Sequence, residues 1–186
     1  MPRCSLMLAL QASEVLRLSD KSAFSVSIGK RVLASEFVEG AKIPVYSANV
    51  FEPFGFVDEL LPSLTDFSVD SVLWGIDGDW QVNTIKAGQA FYPTDHCGVL
   101  RVKNGVVEPL YLAWALNEES KRVGFSRNYR ASIDRIESLS LRFPPLAVQR
   151  ALVDKAAELE SRIARGKEKA AACAQRKQAL LDERLG

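Results

Sequence analysis

The sequence predicts an α+β fold: a mixed globular body followed by one long coiled-coil-type helix at the C-terminal end. Three observations carry this. In Phe24-Ser25-Val26-Ser27-Ile28 apolar side chains alternate with serines, the period-2 mark of a half-buried strand. Short apolar runs of this kind, separated by Gly, Pro, Asn and Asp, recur as far as Pro144-Pro145. Beyond that pair, residues 146–184 hold no proline and are rich in Ala, Leu, Glu, Lys, Arg and Gln, all strong helix formers.

Taken in order, residues 1–20 form a segment of unclear role, either a short amphipathic helix or the remnant of a fusion boundary. Residues 21–145 form the body. After the serine-alternating strand, further strands are expected at Ile43 to Tyr46, Phe54 to Val57, Val72 to Trp74 and Val99 to Val102. Asn104-Gly105 between β-branched flanks is a turn signal. Pro109 suits the first turn of a helix through Leu110 to Asn117. Ser132, followed by Ile133, Ile136 and Leu139, predicts a short serine-capped helix.

Residues 146–186 form the long helix. At about 1.5 Å per residue, the 39 residues from 146 to 184 make a rod of about 58 Å. A body of this size has a radius of gyration of only about 13–14 Å. The rod's apolar seam reads Leu152, Ala156, Leu159, Ile163, Gly166, Ala170 and Cys173, then falters at Lys177. Another helix is the natural cover for it. Gly166 costs about 1 kcal/mol relative to alanine in a helix interior. Close helix pairing, a hinge, or a tolerated glycine on a solvated face each account for it.

Bulk composition excludes several classes. Among 186 residues, 47% are hydrophobic and 25% charged, as in ordinary globular proteins. No apolar run approaches the roughly 20 residues that span a bilayer. The patch Leu6 to Leu10 is too brief for a signal peptide. Cys4, Cys97 and Cys173 are odd in number and widely spaced, which favours reduced thiols and a cytoplasmic location. The net charge of +1 is uninformative, but residues 117–186 carry 15 basic and 10 acidic side chains. That bias suits phosphate contact, and equally a solvated charged helix.

No catalytic constellation stands out. Phe143-Pro144-Pro145-Leu146 only superficially echoes the target-base motif of an adenine methyltransferase, with Phe where a polar residue is required. Gly75, Asp77 and Gly78 form a turn and not a nucleotide loop. His96 and Cys97, with Asp95 and Asp79, lack metal-ligand spacing and read as a core loop with satisfied hydrogen bonds. Asp77, Asp79 and Lys86 are too loosely spaced for a nuclease carboxylate–lysine set, and Trp74 and Trp80 read as core anchors.

Two stretches suit nucleic acid. Residues 121–130 combine Lys121, Arg122, Arg127 and Arg130 with Ser126, Asn128 and Tyr129 around Gly124. Arg reads guanine bidentately, Asn reads adenine, and Ser or Tyr bonds phosphate. The second is Tyr46-Ser47-Ala48-Asn49, preceded by Lys42. An ordinary polar loop is the competing reading of both.

Several segments, in order, resemble the target-recognition domains of type I restriction–modification specificity subunits, including the class fused behind adenine-N6 DNA methyltransferases. They are SIGKRVLASEF (27–37) with KIPVYSANVFEPFGFVDE (42–59), and SVLWGIDGDWQVN (71–83) with FYPTDHCGVLRV (91–102). PLYLAWALN (109–117) and GFSRNYRASIDRIESLSLRFPPLAVQRALVDKAAELE (124–160) complete the set. The resemblance implies a non-catalytic subunit whose 21–145 body reads double-stranded DNA. The 146–186 helix would then serve dimerisation and docking of a methyltransferase subunit. S-adenosylmethionine would belong to that partner, and this chain would hold no cofactor or metal. Full subunits of the family carry two such domains with antiparallel helices; with one domain and one helix, this sequence works alone, pairs with itself as a homodimer through the apolar seam, or belongs to a longer fusion. The alternatives are the detached recognition tail of a single-chain methyltransferase–endonuclease and a helical-dimer scaffold with no DNA role.

Overall fold

The computed structural model describes residues 12–103 and 105–185. In chain order the strands are β1 (Glu14–Arg17), β2 (Phe24–Ile28), β3 (Ile43–Tyr46), β4 (Gly55–Val57) and β5 (Ser71–Gly75). Then come β6 (Val82–Ile85), β7 (Tyr92–Pro93) and β8 (Cys97–Val102). The helices α1 (Pro109–Val123) and α2 (Ile133–Glu137) precede β9 (Ser140–Phe143), and α3 (Leu146–Leu185) follows it. Contacts divide the chain into a body ending at Gln149 and a helical unit from Arg150.

The central sheet of the body is antiparallel, in the order β2-β8-β5-β6. β5 (Ser-Val-Leu-Trp-Gly) is buried along its whole length, as a strand covered on both faces should be. Trp74, Val72 and Leu100 pack with Leu112 and Leu116 of α1, with Ile136 of α2 and with Phe143 of β9. Leu73, Val99, Phe91 and Val50 form a second cluster. A smaller sheet, β4-β3-β7, pairs β3 antiparallel with β4 and parallel with β7.

β1 and β9 form a third, two-stranded antiparallel sheet. Residues 14–17 are therefore a strand and not part of an amphipathic helix, since β9 supplies their backbone partners; residues 1–11 lie outside the described chain. The α1 helix extends past the expected Asn117 to Val123, where Gly124 stops it. Ser132 sits at the start of α2, but its side chain makes no cap hydrogen bond. Gly105 has the positive φ (+66°) that its turn requires, while Asn104 lies outside the described residues. No helix among the described residues is long and apolar enough to cross a membrane.

Gln149 is 1% exposed, yet each end of its amide is satisfied. Its Oε1 accepts from the backbone N–H of Glu108 at 2.8 Å, at the start of α1. Its Nε2 donates to the carbonyls of Pro144 (2.8 Å) and Val106 (3.3 Å). Further along α3, every side chain from Ala157 to Arg184 is exposed.

Candidate nucleic-acid interface

The basic stretch 121–130 begins inside α1 and ends in a tight turn. Gly124, with φ of +79°, ends the helix, and its N–H donates to Ser120 O at 2.8 Å. A left-handed cap of this kind favours glycine. Lys121 and Arg122 lie in the last turn, where the helix dipole favours cations. They pair with Glu118 and Glu119 one turn back. Exposed pairs of this kind contribute only about 0–1 kcal/mol, so phosphates can displace the carboxylates.

After the cap, Phe125 is buried and stacks on Trp80 with centroids 5.5 Å apart. Tyr129 stacks in turn on Phe125 at 5.7 Å, and the Arg135 guanidinium lies 4.0 Å over the Tyr129 ring. Each aromatic pair adds about 0.5–1.5 kcal/mol beyond simple burial. Between Phe125 and Tyr129 the backbone closes a two-residue turn. Ser126 and Tyr129 exchange N–H to O bonds, both 3.0 Å long. Arg127 and Asn128 occupy the tip, exposed, and Arg127 has no ion-pair partner among the described residues. The far end of the loop is fixed at Ala131. Its N–H donates to Ile76 O (3.1 Å), and its carbonyl accepts from Trp74 Nε1 (2.8 Å).

Arg130 is engaged differently. Its Nε and Nη2 both reach the carboxylate of Asp77, the Nη2 bond being 2.9 Å. Asp77 sits in the turn between β5 and β6, beside Gly78, which carries a φ of +84°. The same carboxylate meets the ring of His96. His96 is exposed, which corrects its expected place in a core loop: its ring meets the Asp77 carboxylate at the surface, while Thr94 and Cys97 on either side are buried. Burial pushes the Cys97 thiol well above the usual range.

The second stretch is largely consumed by its own fold. Tyr46 packs edge-on against Phe91, and burial pushes its phenol up. Asn49 Oδ1 accepts from the N–H groups of Phe51 (2.9 Å) and Glu52 (3.2 Å), closing a local turn. Lys42 is exposed just before β3. Ser47 accepts from Thr94 Oγ1 at 3.1 Å, and Thr94 Oγ1 accepts from the His96 N–H at 3.2 Å. A polar chain therefore runs Ser47–Thr94–His96–Asp77–Arg130 and links the two stretches. Lys86 pairs with Asp70 at 2.9 Å. Trp74 is fully buried as expected, whereas Trp80 is only partly buried and donates to Asn117 Oδ1 at 3.0 Å.

Residues 14–171 match the family model described as the type I restriction modification DNA specificity domain. The chain belongs to this family. S.MpnORF507P of Mycoplasma pneumoniae, named as a type I specificity subunit, is 30% identical to it over 125 residues. That match covers 64% of this chain and 33% of the relative. Among solved structures, the type I restriction–modification S subunit of M. genitalium superposes with a TM-score of 0.62 at 14% identity. The superposition covers 81% of this chain and 39% of that one. The HsdS subunit of Thermoanaerobacter tengcongensis gives 0.61 at 15% identity, over 87% and 44%. The chain thus spans a third to under half of the relatives it matches.

Within the specificity domain, four side chains that organise the loop escape sequence reasoning: Thr94, Phe125, Arg135 and, in its actual role, Asp77. Asp77 and Arg130 are 53 residues apart, beyond the reach of any local pattern. The Phe-x-x-x-Tyr spacing of Phe125 and Tyr129 is the one local signal that points to the stack.

Proposed function

We propose that this chain is a sequence-specific DNA-binding subunit of a restriction–modification system, non-catalytic itself, which directs adenine methylation and cleavage by partner subunits. The observation that carries the reading is the Arg127-Asn128 tip: two exposed base-reading residue types on a turn braced by a four-member stack, in a domain of the DNA-specificity family. Rigid presentation matters because bidentate readout of a base edge tolerates little misalignment. Lys121, Arg122, Ser126 and Tyr129 surround the tip and supply phosphate contacts, with Lys42, Tyr46, Ser47 and Asn49 as a secondary flank.

The helical unit would join the domain to its partners. Leu159 and Ile163 are 44% and 57% exposed, and the seam continues through Gly166, Ala170 and Cys173. An uncovered apolar seam of this length supports pairing with a second copy, Leu152 and Ala156 opening the interface. Two copies paired in this way would supply two recognition bodies. A methyltransferase subunit, carrying S-adenosylmethionine, would dock on the paired helices and act on an extruded adenine.

Two measurements test this. Methylome sequencing of a host with and without the gene should show one adenine motif appear with it; no change in any motif overturns the reading. The purified chain with labelled S-adenosylmethionine and DNA should transfer nothing until a methyltransferase subunit is added.

A further inference from the structure

Arg130 belongs by sequence to the group of cations expected to touch DNA, yet one edge of its guanidinium and its carbonyl are both occupied. Its Nε–Nη2 edge, one of the two pairs of parallel donors with which an arginine can read guanine, faces the Asp77 carboxylate. Its carbonyl accepts from Arg135 Nη1 at 2.7 Å. The next residue, Ala131, is held at both its N–H and its carbonyl. Asp77 is in turn fixed by the His96 ring, whose backbone N–H is held by Thr94.

We propose that Asp77 is a positioning residue for base recognition: it holds Arg130 away from DNA as a strut, and through that strut sets the angle at which Arg127 and Asn128 meet base edges. The inference rests on the DNA-recognition reading above. Its physical logic is charge and geometry together. An unpaired Asp77 beside the recognition turn would repel phosphate, and Arg130 cancels that charge locally. A cation neutralised in this way releases no counterions when DNA binds, so it adds nothing to the salt dependence of binding. The stack of Trp80, Phe125, Tyr129 and Arg135 fixes where the turn sits, and the Asp77–Arg130 pair fixes its rotation about that stack. Arg127 is left as the cation at the tip, its guanidinium uncommitted among the described residues.

The test uses the full chain with its methyltransferase subunit and a randomised pool of duplex DNA, from which the wild type selects its preferred site. That duplex and an unrelated one are then titrated at several salt concentrations with wild type, Arg127→Gln, Arg130→Gln, Asp77→Asn and the Asp77→Asn/Arg130→Gln double variant. Arg130→Gln and Asp77→Asn should each reduce the ratio of specific to non-specific affinity about tenfold, within the worth of one bidentate base contact. The double variant should lose no more than either single one, because the two residues act as a unit. Arg130→Gln should leave the slope of log K against log salt unchanged, and Asp77→Asn should not make it shallower. Arg127→Gln should erase preference at one base pair. Asp77→Glu, which keeps the charge, should restore part of the discrimination that Asp77→Asn loses; this separates positioning from a general loss of fold. A slope shallower by about 1 in Arg130→Gln, with sequence preference intact, would identify a phosphate contact and overturn the inference. Wild-type preference unmoved by Asp77→Asn overturns it as well, while leaving DNA recognition standing. A wild type with no sequence preference removes the DNA reading and this inference with it.

Discussion

The indole of Trp74 occupies the space above Gly98, its cross-strand partner in the central sheet. A Cβ at Gly98 would lie 2.1 Å from the ring. The same indole donates to the carbonyl of Ala131, just beyond the 126–129 turn. Any side chain at Gly98 must push the ring away and break that bond. Gly98→Ala should therefore destabilise the body by about 2–3 kcal/mol, from overpacking and one lost hydrogen bond. Urea unfolding should show a lower midpoint at unchanged slope; a wild-type midpoint would mean that the sheet shifts to accommodate the methyl group.

Replacing the buried amide of Gln149 should be costly in spite of its size. Gln149→Leu keeps the volume but removes the acceptor for Glu108 N–H and the donor for Pro144. Each buried group left unpaired costs about 1–3 kcal/mol. A loss of about 2–4 kcal/mol in chemical denaturation is expected, and a neutral effect would show that water takes over these bonds.

The two described thiols should differ sharply in reactivity. Cys97 is fully buried and its thiol is pushed up by that burial, so it stays protonated; Cys173 is exposed. In a Cys4→Ser background, a thiol reagent at pH 8 should label Cys173 at once and Cys97 only on unfolding. Because the folded thiol titrates above the unfolded one, the stability it contributes is complete below the ordinary thiol value of 9.0 and is lost as pH rises beyond it. Rapid labelling of both in folded protein would contradict this burial.

The helical unit makes a prediction about assembly. Gly166 has open space where a Cβ would stand, so within one chain Gly166→Ala should only strengthen the helix, by about 1 kcal/mol. In a close antiparallel pair, Gly166→Leu with Ala170→Leu should overpack the crossing and favour monomers. Sedimentation decides: a wild type that stays monomeric at tens of micromolar removes the homodimer and leaves docking on another subunit.

Where local chemistry dictated structure, the sequence was readable. Alternation in Phe24–Ile28 and the proline-free run after Pro145 placed β2 and α3 almost to the residue. The missed strands have other causes. β1 and β9 find each other across more than 120 residues of chain, and each offers only four mixed residues. β7 is two residues long and includes a proline, tolerable there because β3 is its one neighbour in the sheet. The 121–130 stretch stood out by composition, Arg127 and Asn128 included. What composition could not separate was Arg127 at the tip from Arg130 at the base, because that distinction is made by a carboxylate 53 residues away.

Glu14 and Phe143 are partners across β1 and β9, so the polypeptide arrives at the body and departs from it at neighbouring points. Everything between them, the 126–129 turn included, is a closed excursion with a single seam. An insertion in one of its surface loops alters the excursion without altering the gap between its two ends, and a whole excursion replaced by another of similar closure would leave those ends paired. On the proposed DNA reading, what the body recognises could therefore change while the two ends of the excursion stay paired.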